Sequence, residues 1–153
     1  MLKAVVTDRY RATGSGVGLV NGFGLKEGGA IAGSVSHDSH NIVAVGGVGD
    51  ADIVRAVAEV IRLGGGGLAV VSGDDITALP LECAGLMSAL PYGEVVQRLA
   101  ALEEHARRLG SVENPPFMYL SFLALTVIPE VRVTERGGVF DVRAFSDVPL
   151  FYE

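Results

Sequence analysis

The sequence predicts an α+β fold: a single domain in which a mixed or mostly antiparallel sheet packs against two main helices, at about 51–63 and 91–109. Three observations carry this. Short apolar runs rich in Val, Ile and Leu recur between turns containing Gly and Asp, as strands require. Two stretches repeat their apolar residues at helical spacing. The chain has 153 residues, the size of one ordinary domain with its own core, and shows no linker, low-complexity stretch or internal repeat.

Taken in order, 2–7 reads as a first strand, followed by the short basic cluster Arg9-Tyr10-Arg11. Glycines at 14, 16 and 18 suggest a dinucleotide fingerprint, but Leu19 breaks its spacing and no helical pattern follows. No Gly-Lys-Ser or Gly-Lys-Thr is present, which removes the P-loop. These glycines are expected instead to allow close backbone approach in a loop or bulged strand. After a strand at 41–45, Asp50 or Asp52 is placed to cap a helix. Ile53, Val54, Val57, Val60 and Ile61 share one helical face, while Asp52, Arg55, Glu59 and Arg62 take the other. Gly64-Gly65-Gly66-Gly67 ends that helix before the strand 68–71; a phosphate cradle needs the opposite order, strand first.

Gly73-Asp74-Asp75 reads as a hairpin turn into 76–81, its paired carboxylates being ordinary turn residues rather than an acid–base pair. Residues 82–89 read ambiguously, with a short helix as the one named possibility. The second helix, 91–109, has the seam Val95, Val96, Leu99, Leu102, Ala106 and Leu109, and Gly110 stops it. Glu94–Arg98, Glu103–Arg107 and Glu104–Arg108 are pairs four residues apart in the favourable order, and His105 is expected on the same solvated face. Asn114-Pro115-Pro116 breaks the chain, an apolar segment spans 117–128, and strand-like pieces follow at 131–134 and 138–142.

Composition excludes several function classes. Apolar residues make up 49%, charged residues 20%, and the mean hydropathy is +0.41, yet no run reaches the roughly 18 apolar residues of a membrane helix. The start lacks a signal peptide's apolar stretch, so a cytoplasmic location is expected. The surplus apolar surface is expected to dock, against a partner or in a homo-oligomer. A formal charge of −6 without a basic stripe argues against nucleic acid. Cys83 is the only cysteine, which excludes an internal disulfide and a thiolate zinc cluster within the chain, and with them the H-x-E, P-C-x-x-C signature of zinc nucleobase deaminases. It reads as a small core residue.

Chemistry concentrates in Ser34-Val35-Ser36-His37-Asp38-Ser39-His40-Asn41, which holds two of the three histidines between two apolar, glycine-rich runs. His37 and His40 could move a proton or bind a metal, with Asp38 orienting one imidazole. The plainer alternative is a polar turn whose Ser, Asp and Asn side chains satisfy local backbone groups. Residues three apart share a helical face but oppose each other in a strand, so only a turn would bring both rings together. One H-x-x-H pair without further ligands is a poor metal site, and no metal is assigned to it.

Several blocks also carry a resemblance: Gly22-Phe23-Gly24-Leu25-Lys26, Ser36-His37-Asp38-Ser39-His40-Asn41, Pro80-Leu81-Glu82-Cys83-Ala84-Gly85-Leu86-Met87-Ser88, Pro116-Phe117-Met118-Tyr119-Leu120-Ser121-Phe122-Leu123-Ala124-Leu125 and Val148-Pro149-Leu150-Phe151. In this order, from about Arg9 to Phe151, the chain resembles the C-terminal domain of bacterial and archaeal adenine deaminases. It departs from the family's usual pattern at Tyr10, where His is usual, and at Asn114-Pro115-Pro116-Phe117, where Asp-Pro-Phe-Met is usual.

The resemblance implies part of an enzyme that hydrolyses adenine to hypoxanthine and ammonia, with the chemistry in an amidohydrolase barrel. Residues 1–153 are then expected to be the C-terminal domain alone, the barrel being absent from this sequence. No cofactor is expected in this chain, and a divalent metal, manganese, iron or zinc, in the barrel. The expected work is covering the barrel, completing its pocket and aiding assembly. His37, Asp38 and His40 would support catalysis, and Ser39 and Asn41 would contact substrate. A stand-alone ligand-binding or oligomerisation module, without chemistry, is the alternative.

Overall fold

Among the described residues every strand pairing is antiparallel, which decides the sheet type that the sequence left between mixed and mostly antiparallel. The computed structural model describes residues 1–25, 28–47, 49–64, 66–112 and 115–151. Asn114 of the predicted chain break, Gly65 of the glycine run and Lys26 of the first resemblance block lie outside the described residues.

The six-stranded sheet runs β2-β1-β4-β3-β5-β6. Its strands are β1 (Leu2–Thr7), β2 (Ser15–Val20), β3 (Ala30–Gly33), β4 (Ile42–Gly46), β5 (Gly67–Ser72) and β6 (Asp75–Pro80). The helices α1 (Asp50–Arg62), α2 (Tyr92–Arg108) and α3 (Pro116–Phe122) precede a small three-stranded sheet of β7 (Val131–Thr134), β8 (Gly138–Asp141) and β9 (Ser146–Val148).

The period of two along each strand builds two cores from one sheet. Ala30, Ala32, Ala44, Ala69 and Val71 face one way and meet Ile53, Ala56 and Val60 of α1. Ile31, Val43, Val45, Val70 and Leu79 face the other way and meet Leu102 and Ala106 of α2 and Phe117 and Leu120 of α3. Because helices cover both faces, the central strands β3 and β4 are buried throughout and read as unbroken apolar runs. On the α1 side the alanines bring the helix close: a Cβ on Gly46 would sit 2.6 Å from Ile53 Cγ1.

Glycines serve close approach at β2 as well. A Cβ on Gly18 would lie 2.5 Å from Val133 Cγ2, and one on Gly16 would fall on the Thr134 carbonyl oxygen. The small sheet rests on β2 through this flat glycine track. The turn before β2 is tied by Asp8, whose carboxylate accepts from Thr13 Oγ1 at 2.5 Å and the Tyr10 N–H at 2.9 Å. The Thr13 hydroxyl first, then the Tyr10 N–H, lower its pKa to about 2.

Several expectations need correction. Neither Asp50 nor Asp52 caps α1: the N-cap is Gly49, without a side-chain bond, and both aspartates sit in the first turn, where they favour the helix dipole. On that helix Ala56 is buried, whereas Val54 and Ile61 are 62% and 55% exposed. Residues 82–89 are not a helix but a tight loop closed by a Cys83–Met87 bridge, with the Cys83 N–H donating to the Met87 carbonyl at 2.9 Å. Cys83 itself is exposed rather than a core residue. Of the α2 ion pairs, Glu94–Arg98 forms, and Arg107 pairs one turn back with Glu104 instead of Glu103.

Candidate functional site

The histidine-bearing stretch joins β3 to β4 at one end of the sheet. Ser34, fully buried, anchors its start: the hydroxyl donates to the Gly85 carbonyl at 2.7 Å and accepts from the Gly67 N–H at 2.9 Å. The chain then reverses in a turn closed by the His40 N–H donating to the Ser36 carbonyl at 2.7 Å. His40 takes φ of +50°, a left-handed conformation that is uncommon for a residue with a Cβ. Asn41, 4% exposed, accepts from the Arg9 backbone N–H at 3.3 Å through Oδ1.

The predicted site residues therefore divide. His37, Asp38 and Ser39 are exposed at the tip, His40 is half-buried, and the Asn41 side chain serves the fold from inside. The His37 ring lies against Phe122 of α3, with centroids 5.5 Å apart and planes at 30°. Asp38 and Ser39 also border a groove of about 490 Å³ toward the small sheet, beside Thr126, Arg136, Phe140 and Asp147. Among the described residues no hydrogen bond or ion pair joins Asp38 to either imidazole. Two buried polar atoms in the turn, Ser36 Oγ and His40 Nδ1, have no protein partner. Leaving such a group unsatisfied costs about 1–3 kcal/mol, so buried polar atoms of this kind mark places that water or a further polar group completes.

The donor set does not fit a resident metal. Among the described residues no group of three or more His, Cys, Asp or Glu side chains comes together to hold one. A tetrahedral site needs three or four protein ligands, and the turn supplies two imidazoles at most.

His105 is not on the solvated face. It is 2% exposed between α2 and β6, its Nδ1 2.9 Å from Thr77 Oγ1 and its Nε2 3.6 Å from Asp75 Oδ2. The signal was in the spacing, since residue 105 lies three beyond Leu102 and four before Leu109 on the α2 seam; its charged neighbours hid it. Burial lowers its pKa and Arg108 lowers it further, while Asp75 acts in the opposite direction. A histidine whose folded pKa lies below its unfolded value gives stability that is fully present above the ordinary imidazole range and is lost as pH falls through the folded value. Urea unfolding at pH 8 and pH 5 is expected to show lower stability in acid, with His105→Gln flattening the dependence. Equal slopes for the two proteins would contradict this.

The fold and the turn together define a three-layer α+β domain that presents one polar, histidine-bearing loop and carries no complete metal site among its described residues. Residues 1–146 match the family described as the adenine deaminase C-terminal domain, and the chain belongs to that family. It is 87% identical over 153 residues to the adenine deaminase of Methanoculleus marisnigri, covering all of this chain and 29% of that protein. The adenine deaminase of Methanoregula boonei is 56% identical over 151 residues, covering 99% of this chain and 26% of the relative. That of Desulfatibacillum aliphaticivorans is 49% identical over 152 residues, again covering 26% of the relative. The chain thus spans between a quarter and a third of the length of these relatives.

Proposed function

We propose that this chain works as the C-terminal domain of an enzyme that hydrolyses adenine to hypoxanthine and ammonia, covering an amidohydrolase barrel, completing its pocket and aiding assembly as a homo-oligomer. The observation that carries the reading is 87% identity along the whole chain to a relative named adenine deaminase. In this reading a divalent metal, manganese, iron or zinc, belongs to the barrel, and the residues of this chain act on the purine and its protons. His37 and His40, with Asp38 beside them, face the purine's ring nitrogens; imidazole suits proton movement near neutral pH. Ser39 adds an exposed hydroxyl to the substrate side, while Asn41 holds the turn from below.

Val17, Val54 and Ile61, with Val5 and Val57, line an apolar groove between α1 and β2, rimmed by the Lys3–Asp50 ion pair. We assign this face to the larger part of the enzyme, because the relatives are more than three times as long as the match. Among the described residues no helix is long and apolar enough to cross a membrane. The reading places the enzyme in the cytoplasm, with no nucleic-acid partner.

The purified chain is expected to release no ammonia from adenine, with or without added manganese, iron or zinc. Turnover that copurifies with it and disappears in His37→Ala would overturn this assignment of roles. Tight adenine binding without turnover would favour a stand-alone binding module.

A further inference from the structure

The block Pro80-Leu81-Glu82-Cys83-Ala84-Gly85-Leu86-Met87-Ser88 lies directly against the histidine turn. From one side the Ser34 hydroxyl holds the Gly85 carbonyl. From the other, a single guanidinium spans the two loops: Arg9 Nε donates to the His40 carbonyl at 2.7 Å and Nη2 to the Ala84 carbonyl at 2.9 Å. The Arg9 backbone N–H adds the bond to Asn41. The guanidinium carbon lies 4.6 Å from the centre of the Tyr10 ring.

The two carbonyls it holds belong to residues in the same unfavourable state. His40 has φ of +50° and Ala84 of +59°, two of the four non-glycine residues with positive φ among those described. A left-handed residue with a Cβ is unfavourable and persists only where its surroundings fix it. The adjoining Gly85 is shaped to the clamp as well, since a Cβ there would collide with Arg9 Nη1. The planar fork of arginine suits two acceptors at fixed separation; an ammonium is a point charge and does not reproduce it.

We infer that Arg9 is a positioning residue, which fixes the backbone of His40 and so the direction of its imidazole by bridging the histidine turn to the Ala84–Gly85 corner. The inference rests on the reading of that turn as the site, but its test reads the geometry of His40 and not turnover. Failure of the adenine deaminase reading and failure of this one therefore give different results.

The test compares amide hydrogen exchange and imidazole resonances by NMR in the chain, in Arg9→Ala and in Arg9→Lys. Both variants are expected to exchange the His40 amide at least tenfold faster and to shift the His40 ring signals. The amides of Val43, Val45 and Leu102 should stay as they were. Methylguanidinium at tens of millimolar should restore Arg9→Ala. If Arg9→Ala fails to fold, Arg9→Lys carries the same comparison and is expected to loosen His40 alone. Exchange at His40 within twofold of the parent, acceleration shared by β4 and α2, or no rescue by methylguanidinium would each overturn the assignment.

Discussion

Gly16→Ala is expected to destabilise the chain by about 3 kcal/mol or more, the largest effect of any single added methyl group at the contact between the two sheets. The new Cβ would fall on the Thr134 carbonyl oxygen and lie 2.8 Å from Gly138 Cα and 2.9 Å from Gly138 N. All three atoms are backbone of the small sheet, fixed by the β7–β8 ladder in which Thr134 pairs with Gly138, so no rotamer change relieves the clash. The small sheet must lift off β2 or its hairpin must break. Gly18→Ala meets only the tip of Val133, at 2.5 Å, and is expected to cost less. Gly93→Ala, in the first turn of α2 with nothing within 4 Å of its added Cβ and no positive φ, is the control and should not lower stability. Urea denaturation of the three variants tests the order. Equal stabilities would mean that the glycine track does not seat the small sheet.

The second large effect concerns turnover. In a full-length enzyme carrying this domain, His40→Asn is expected to lower the rate at least tenfold, and His37→Asn to lower it less. His40 is half-buried and its enclosed Nδ1 has no protein partner, so that nitrogen keeps its hydrogen-bonding capacity for a further group, whereas His37 is exposed and held by one ring contact with Phe122. A factor of ten corresponds to about 1.4 kcal/mol of transition-state stabilisation, within the range of a positioned proton carrier. Asparagine is the chosen replacement because it tolerates the left-handed conformation that His40 adopts. Thermal stability should therefore change by less than about 1 kcal/mol. A rate loss matched by unfolding would return the turn to a purely structural role.

Much of the fold was legible because period and punctuation agreed. The β5–β6 hairpin followed from Asp-containing turn chemistry between two apolar runs, and α1 and α2 from their seams. β3, α3 and the three-residue β9 were not legible, and β2 was left between a loop and a bulged strand. β2 alternates glycine with apolar residues, a pattern chosen for its contact with the small sheet rather than for strand propensity. β3 is only Ala30–Gly33, without a run of β-branched residues, because close packing against α1 demands small side chains. α3 opens on Pro116 inside an apolar run that reads equally well as a strand, since a helix of 7 residues is too short to show a period.

The site was half legible. The density of ionisable groups pointed to the histidine turn, whereas its division into exposed tip and buried base rests on three-dimensional packing that residue type does not record. Arg9 was invisible as a partner because its acceptors are backbone carbonyls 31 and 75 residues away, which leave no mark on residue type. His105 was misread because four charged neighbours, Glu103, Glu104, Arg107 and Arg108, outweighed its place on the apolar seam.

The most direct test of the central claim is ammonia release from adenine by a chimera, in which this chain replaces the matching 29% of the Methanoculleus marisnigri adenine deaminase. The chimera is expected to fold and to turn over adenine near the rate of that enzyme, and at least tenfold more slowly when His37 and His40 are both replaced by asparagine. A folded chimera without activity, or one whose rate is indifferent to both histidines, would contradict that claim.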